Sequence, residues 1–386
     1  MAEHFANFQN SIYLAGLGDV RPDLPLTYPE LEAAARGKLR PEAYGYIAGA
    51  AGSEDTLREN LEAFRRHRLL PRMLKGVAER DHSIELFGRM VPAPALLAPI
   101  GVQTLAHQEG ELASARAAAA LGLGYVLSTA SSHSIEQVAE ASGGGPRWYQ
   151  LYWPRDRELA TSFVARAENA GFEAIVVTLD THHLAWRPRD LTLAFLPFIR
   201  GEGVAVYWSD PVFRGGLESA PEDDPAAAAL HWVSLFSDPG LRWEDLAWLR
   251  AQTRLPILLK GILHPDDARH AVEARMDGVI VSNHGGRQVD GAVASLDALP
   301  RVIQAVPPGF PVLFDSGIRT GADIVKALAL GARAVLIGRP WMWGLALAGQ
   351  AGVEHVLRCL LAEFDLTMGL IGVTGPAELG PDLLSR

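Results

Sequence analysis

Two side chains able to divide an acid–base task stand three residues apart in the run Ser282-Asn283-His284-Gly285-Gly286-Arg287-Gln288. An imidazole takes up a proton near neutral pH. A guanidinium keeps its charge and grips a carboxylate through two parallel N–H donors. The two glycines between them allow a sharp turn or a close approach to a ligand. The pair therefore suits removal of a proton from an anionic substrate. Asp180 could hold the imidazole by a hydrogen bond and stabilise its protonated form. Arg187 offers a second guanidinium for the same carboxylate, and Tyr46 and Tyr152 offer hydroxyl donors. Tyr46 is the weakest of these, because an aromatic in Tyr44-Gly45-Tyr46-Ile47 reads equally as core. Lys260 sits in Ile257-Leu258-Leu259-Lys260-Gly261, where a lysine is costly unless its charge is used. It could offset negative charge developing on a ligand or form a Schiff base. Asp315-Ser316-Gly317-Ile318-Arg319 and Gly338-Arg339 combine glycine backbone N–H groups with guanidinium donors, a combination suited to a dianionic phosphate.

Each of these residues ends or follows an apolar, often β-branched run. The runs are Ala95–Gly101, Tyr125–Ala130, Arg147–Trp153, Ala174–Asp180, Pro256–Ile262, Gly278–His284, Pro311–Gly317 and Ala334–Pro340. Helical patterns follow them at 108–121, 133–141, 156–170, 243–252, 265–274, 297–305, 321–330 and 344–363. Eight strand–helix units predict an α/β protein with a (β/α)8 barrel, the TIM-barrel architecture. The rival, an open doubly wound sheet, lacks support because no Gly-x-Gly-x-x-Gly follows the first strand. In such a barrel the strand ends converge on one face, and the loops after strands seven and eight form the usual phosphate site. Residues 1–94 read as a mainly helical segment covering the barrel, 95–370 as the barrel and 371–386 as a tail. Residues 181–242 interrupt the fourth unit on the active face, and such a long insertion suggests a lid.

The chain has 386 residues, 48% hydrophobic and 21% charged, with a formal net charge of −10. That balance fits a globular fold and argues against nucleic acid or an anionic membrane surface as the partner. The apolar stretch 322–349 is interrupted by Asp323, Lys326, Arg333 and Arg339 and makes a poor membrane span. The single cysteine, Cys359, reads as a small helix-core residue, and a disulfide-free chain fits a reducing cytoplasm. The first residues show no signal-peptide pattern. A metal site is not expected, because no His-Glu-x-x-His or cysteine cluster occurs. Gly-x-Ser-x-Gly is also absent, which speaks against a serine hydrolase.

The intact Ser-Asn-His-Gly-Gly-Arg-Gln run at 282–288 resembles the signature of the FMN-dependent L-2-hydroxy acid oxidising family, and the likeness spans roughly residues 28–375. The resemblance implies His284 as catalytic base with Asp180 as its partner. It implies substrate binding by Arg187, Arg287, Tyr46 and Tyr152, with Lys260 beside the flavin. Pro99, Ile100, Gly101, Ser128, Gln150, Thr178 and Ser282 would contact the cofactor. Asp315, Ser316, Gly317, Arg319, Gly338 and Arg339 would hold its phosphate. Pro71-Arg72-Met73-Leu74, Trp186 through Leu191, and Gly203 through Phe213 look most like the lactate 2-monooxygenase and lactate oxidase branch. Three positions depart from the wider family: Ser316 replaces a frequent glycine, Ala130 a bulky aromatic, and His182-His183 a common Pro-Arg. The resemblance implies a small L-2-hydroxy acid, L-lactate foremost, with O2 as acceptor and a homotetramer or larger assembly. Longer 2-hydroxy acids stay open. So do a reduced-FMN isomerase that binds a second phosphate on Arg187 and Arg287, and a non-catalytic flavin-binding module.

Overall fold

Apolar strands closing on one another build the centre of the molecule, seen in a computed structural model that describes residues 4–385. The strands are β1 (Ala95–Leu97), β2 (Gly124–Ser128), β3 (Arg147–Leu151), β4 (Ile175–Thr178), β5 (Ile257–Ile262), β6 (Gly278–Val281), β7 (Val312–Asp315) and β8 (Val335–Ile337). They pair in parallel in chain order, and β8 returns to β1, so the barrel is closed and has no free edge. The strand runs are near-continuously apolar because one face meets the barrel axis and the other meets the helices.

Side chains alternate along a strand, and here the alternation decides where the chemistry goes. Leu96, Val126, Trp148, Val176, Leu258, Ile280, Leu313 and Leu336 pack together as the barrel interior. Two positions further on, with the same parity, stand Ala98, Ser128, Gln150, Thr178, Lys260, Ser282, Asp315 and Gly338. Apolar residues thus fill the barrel, and the next interior layer, at its mouth, is largely polar. The opposite end is plugged by a hairpin, Ile84–Leu86 with Arg89–Val91, whose Ile84, Leu86 and Val91 join the same interior cluster.

The outer helices begin where side chains supply caps. Asp156 accepts from the backbone N–H groups of Glu158 and Leu159, and Thr320 forms a reciprocal capping box with Asp323. The last helix, Arg339–Ile371, starts five residues before the sequence pattern 344–363 suggests. Gly338 and Arg339 therefore belong to a helix start rather than to a strand. This helix is long and apolar enough to cross a membrane, but it bends at Ala348–Gly349 and buries one side against the helices Gly110–Ala120, Gly321–Ala329 and Tyr28–Lys38.

Among the described residues the N-terminal part contains four helices, Asn7–Gly16, Tyr28–Lys38, Pro41–Ala48 and Asp55–Arg66. The insertion 181–242 folds into short helices that bury Phe195, Phe198, Tyr207, Phe213 and Trp232. Asp210 caps the helix Pro211–Gly215 and accepts hydrogen bonds from Arg166 and Ser162, which ties the insertion to the barrel wall. Cys359 is only partly buried on its helix, and burial pushes its thiol up to about 11, so it is not a ready nucleophile.

Candidate active site

Strand β6 ends at Val281, and the chain then makes a turn that few L-residues tolerate. His284, Gly285 and Gly286 have φ values of 58°, 64° and 78°, all in the left-handed region. The turn sets the imidazole beside the barrel mouth. Its Nδ1 lies 2.8 Å from Asp180 Oδ1 and 3.3 Å from Thr181 Oγ1, while Nε2 lies 3.5 Å from the Tyr152 hydroxyl. A carboxylate beside Nδ1 selects the tautomer with its proton there and leaves the Nε2 lone pair free. Burial pushes the imidazole below its ordinary range, and Asp180 opposes that shift without cancelling it. Burial alone would raise the Asp180 carboxyl, but His284 and then Lys260 outweigh it and hold the group below the usual range. At neutral pH the pair is a neutral imidazole and a carboxylate, the state a general base requires. Asp180 can approach because Gly261, at a bulge in β5 with φ 106°, has no side chain; a Cβ there would lie 2.9 Å from Asp180 Cβ.

The guanidinium groups are held by neutral carbonyl and amide oxygens rather than by acids. Arg287 donates from Nη1 to the carbonyls of Tyr46 and Gly49, both at 2.7 Å, and sits 5.2 Å from the Tyr46 ring centre. Arg187 donates from Nε to the Arg287 carbonyl and from Nη2 to Gln288 Oε1. These bonds leave Nη1 of Arg187 and Nη2 of Arg287 for a ligand. Burial, and then the charge of Arg287, lowers Arg187 to about 10. Arg339 donates to the carbonyls of Ile47, Gly285 and Gly49, and burial with Arg287 and Arg319 lowers it to about 9. Two cations with depressed pKa values in one cleft, against an acidic protein, indicate sites that an anion would stabilise.

Lys260 is only 3% exposed. Its ammonium lies 2.7 Å from Asp315 Oδ2 and 3.0 Å from Ser282 Oγ, and Ser282 donates in turn to Asp315 Oδ2. The lysine nitrogen is spent on these contacts, which argues against a Schiff base. Asp315, expected at the cofactor phosphate, lines the cleft with its carboxylate engaged by Lys260 and Ser282. The reason is strand order: β5, β6 and β7 are neighbours, so their same-parity side chains meet.

The cleft is lined by Pro99, Ile100, Gly101, Ser128, Tyr46, Tyr152, Arg187, Lys260, His284, Arg287, Asp315, Ser316, Gly317, Arg319, Gly338 and Arg339. Gln150, Thr178, Asp180 and Ser282 stand behind that lining. Gln150 Oε1 accepts from Ser128 Oγ at 3.0 Å, yet its Nε2 is buried with no acceptor, and Thr178 Oγ1 is likewise unpaired. Unsatisfied donors of this kind are costly unless something supplies the acceptor. The carbonyl edge of a flavin ring is suited to do so. Gly317, with φ 96°, is pressed so closely on the Asn60 carbonyl that a Cβ would lie 2.7 Å away. The turn from Ser316 to Arg319 thus offers backbone rather than side chain to a phosphate, with Arg319 and Arg339 beside it. These residues fit FMN, with the ring toward β1–β4 and Lys260 and the phosphate toward β7 and β8.

Sequence reasoning missed several cleft residues. Thr181, Leu184, Phe198 and Phe236 reach it from the insertion. Gln288 holds Arg187 and also donates from Nε2 to the Asp180 and His183 carbonyls. Its place in the 282–288 run was the available signal. The aromatic residues gave none, because their pairing depends on how the insertion folds.

A proton acceptor, a carboxylate clamp and a phosphate cradle in one barrel mouth describe an oxidoreductase that anchors a phosphorylated cofactor. Residues 35–386 match the model of the FMN-dependent dehydrogenases, and the chain belongs to that family. It is 46% identical over 387 residues to an FMN-dependent alpha-hydroxy acid dehydrogenase of Penicillium citrinum, covering 99% of this chain and 96% of that one. It is also 46% identical to an L-lactate oxidase of Lysinibacillus sphaericus, covering 91% of this chain and 90% of that one. The crystal structure of a mandelate oxidase superposes with a TM-score of 0.83 at 41% identity, over 94% of this chain and 98% of that one. The chain is an FMN-dependent oxidoreductase of 2-hydroxy acids.

Proposed function

We propose that the protein oxidises small L-2-hydroxy acids, L-lactate foremost, with dioxygen as the final acceptor. The observation that carries this reading is the placement of a neutral His284, its Nε2 facing the Tyr152 hydroxyl, in the same cleft as Arg187 and Arg287. The two guanidinium groups bind the substrate carboxylate. Tyr152 and Tyr46 donate to the substrate oxygens. His284 Nε2 takes the 2-hydroxyl proton, and Asp180 stabilises the imidazolium that results. Lys260, which lines the same cleft, would offset negative charge on a flavin ring held there. FMN, when bound, would supply the two-electron acceptor for the α-carbon, with dioxygen as the final oxidant.

The preference for a short side chain rests on the cleft's walls. Ala130 leaves room in the cleft without demanding a large side chain, which is compatible with lactate, and Leu184, Phe198 and Phe236 line the cleft with apolar surface. Phe198 stacks on Trp232 at 4.7 Å between ring centres, and Trp232 backs Phe236 at 4.5 Å, so the wall is braced. A pocket of this kind separates acids that differ by one methylene by about 1–3 kcal/mol.

Dioxygen as acceptor makes pyruvate and hydrogen peroxide the first products of lactate. If both are kept in the cleft they react to acetate, CO2 and water, which is the monooxygenase outcome; early release of pyruvate gives the oxidase outcome. Aerobic turnover of a panel of L-2-hydroxy acids, with acetate, pyruvate and peroxide quantified, tests the reading. Highest kcat/KM with lactate supports it. A preference for mandelate or a medium-chain acid overturns the small-substrate assignment, and oxygen consumption with none of the panel overturns the reaction class.

A further inference from the structure

The turn that presents His284 is locally unfavourable, and the structure shows what opposes it. Three consecutive residues with positive φ, the first of them not a glycine, do not hold their shape unaided. The restraint comes from the N-terminal segment, more than two hundred residues away in sequence. Asn60, on the helix Asp55–Arg66, and Asn283, the residue before the base, form a reciprocal amide pair. Each donates its Nδ2 to the other's Oδ1 at 2.8 Å. The two side chains are 1% and 5% exposed, so water does not compete for these bonds. Asn283 Oδ1 also accepts from the Gly286 N–H at 3.1 Å, which closes the turn around His284 and Gly285. Asn60 Oδ1 accepts in addition from the Ser295 N–H at 3.1 Å, fixing the far end of the same loop.

The rest of that helix reinforces the grip. Asp290, from the same loop, accepts from the backbone N–H groups of Ser53, Asp55 and Thr56 and so caps the helix start. Gly286 is pressed on Leu57, where a Cβ would lie 2.7 Å from the Leu57 N. Helix and loop are therefore docked backbone to backbone.

We propose that Asn60 is a positioning residue for the catalytic base. Through Asn283 it fixes the turn that sets the His284 imidazole against Asp180, although it lines no part of the cleft. The proposal rests on His284 acting as the base in the reading above. A displacement of about 1 Å in a reacting group can cost on the order of 100-fold in rate, and that is the scale of loss a released turn should produce.

The test compares Asn60→Ala and Asn60→Asp with the unaltered protein, all loaded with FMN. The aspartate keeps the side-chain volume and the bonds accepted from Asn283 and Ser295, but replaces the donor to Asn283 Oδ1 with a buried carboxylate oxygen. Rates per bound flavin should fall on the order of 100-fold for the alanine and less for the aspartate, with KM for the hydroxy acid within about threefold. Independently of turnover, hydrogen exchange at the amides of residues 284–287 should accelerate at least about tenfold in Asn60→Ala, with the barrel strands unchanged. A rate per bound flavin within about twofold of the unaltered protein, or unchanged exchange at 284–287, overturns the proposal. Loss of flavin binding in both variants overturns it as well, because it makes Asn60 a determinant of the cradle rather than of the base. Failure of the unaltered protein to oxidise any 2-hydroxy acid would instead reject the underlying function.

Discussion

Replacing Asp180 by asparagine removes one charge and almost no volume, and its effect can be worked from the geometry. Asp180 Oδ1 and His284 Nδ1 are 2.8 Å apart. Unit charges at that separation interact by about 6 kcal/mol at an effective dielectric constant of about 20. The imidazolium spreads its charge over two nitrogens, so about half of that, on the order of 3 kcal/mol, is lost when the carboxylate becomes an amide. Each 1.36 kcal/mol is worth about tenfold, so the rate of substrate oxidation should fall by roughly 100-fold. The amide can also turn its NH2 group to the ring and select the wrong tautomer, which enlarges the loss. Arg187 and Arg287 are held by other partners, so KM should change by less than about threefold. The pH profile supplies a second sign. Asp180 raises the His284 pKa, so its removal lowers that pKa further. Activity requires the neutral imidazole and is lost as pH falls through this value; the acid limb of kcat/KM should therefore move to lower pH in Asp180→Asn. The assay is anaerobic rapid mixing with L-lactate, following the bleaching of the flavin absorption at several pH values. A rate within about fivefold of the unaltered protein, or an acid limb displaced to higher pH, would refute the reasoning.

In the unaltered enzyme the acid limb of kcat/KM should lie below the ordinary histidine range near 6.5, because burial depresses His284; a steady-state pH profile checks this. Arg287→Lys keeps the charge but loses the fork that reaches the Tyr46 and Gly49 carbonyls, and KM for the hydroxy acid should rise on the order of 10–100-fold in initial-rate measurements. Lys260→Met strands the buried Asp315 carboxylate, and thermal or denaturant unfolding should show a loss of about 3–5 kcal/mol. Gly317→Ala places a Cβ against the Asn60 carbonyl at a positive φ, so flavin should be lost on dialysis and the protein should melt earlier than the unaltered form.

What could be read from the sequence follows physical range. The barrel was legible because strands buried on both faces leave long apolar runs, and their alternation carries the polar residues to the mouth. His284, Arg287, Lys260 and Arg339 could be picked out because a costly residue beside an apolar run needs a reason. Their partners were less visible. Asp315 reads as a phosphate residue, and only strand order shows that it also faces Lys260. The pairing of Asn60 with Asn283 joins residues 223 apart, and no periodicity reports a contact of that span. Phe198 and Phe236 belong to an insertion without a repeating pattern, so only its folded form reveals which aromatic rings reach the cleft. The start of the last helix was misplaced because Arg339-Pro340 reads as a strand end, whereas proline near a helix start is favourable.

The central claim is that His284 deprotonates a 2-hydroxy acid held in the cleft beside FMN. Its most direct test is one anaerobic mixing experiment with L-lactate on the FMN-loaded protein and on His284→Ala. The unaltered protein should lose the oxidised flavin spectrum within the mixing experiment, while His284→Ala, with the same flavin content, should keep it. Equal bleaching in both, or a lasting oxidised spectrum in the unaltered protein with every L-2-hydroxy acid tried, would contradict the account.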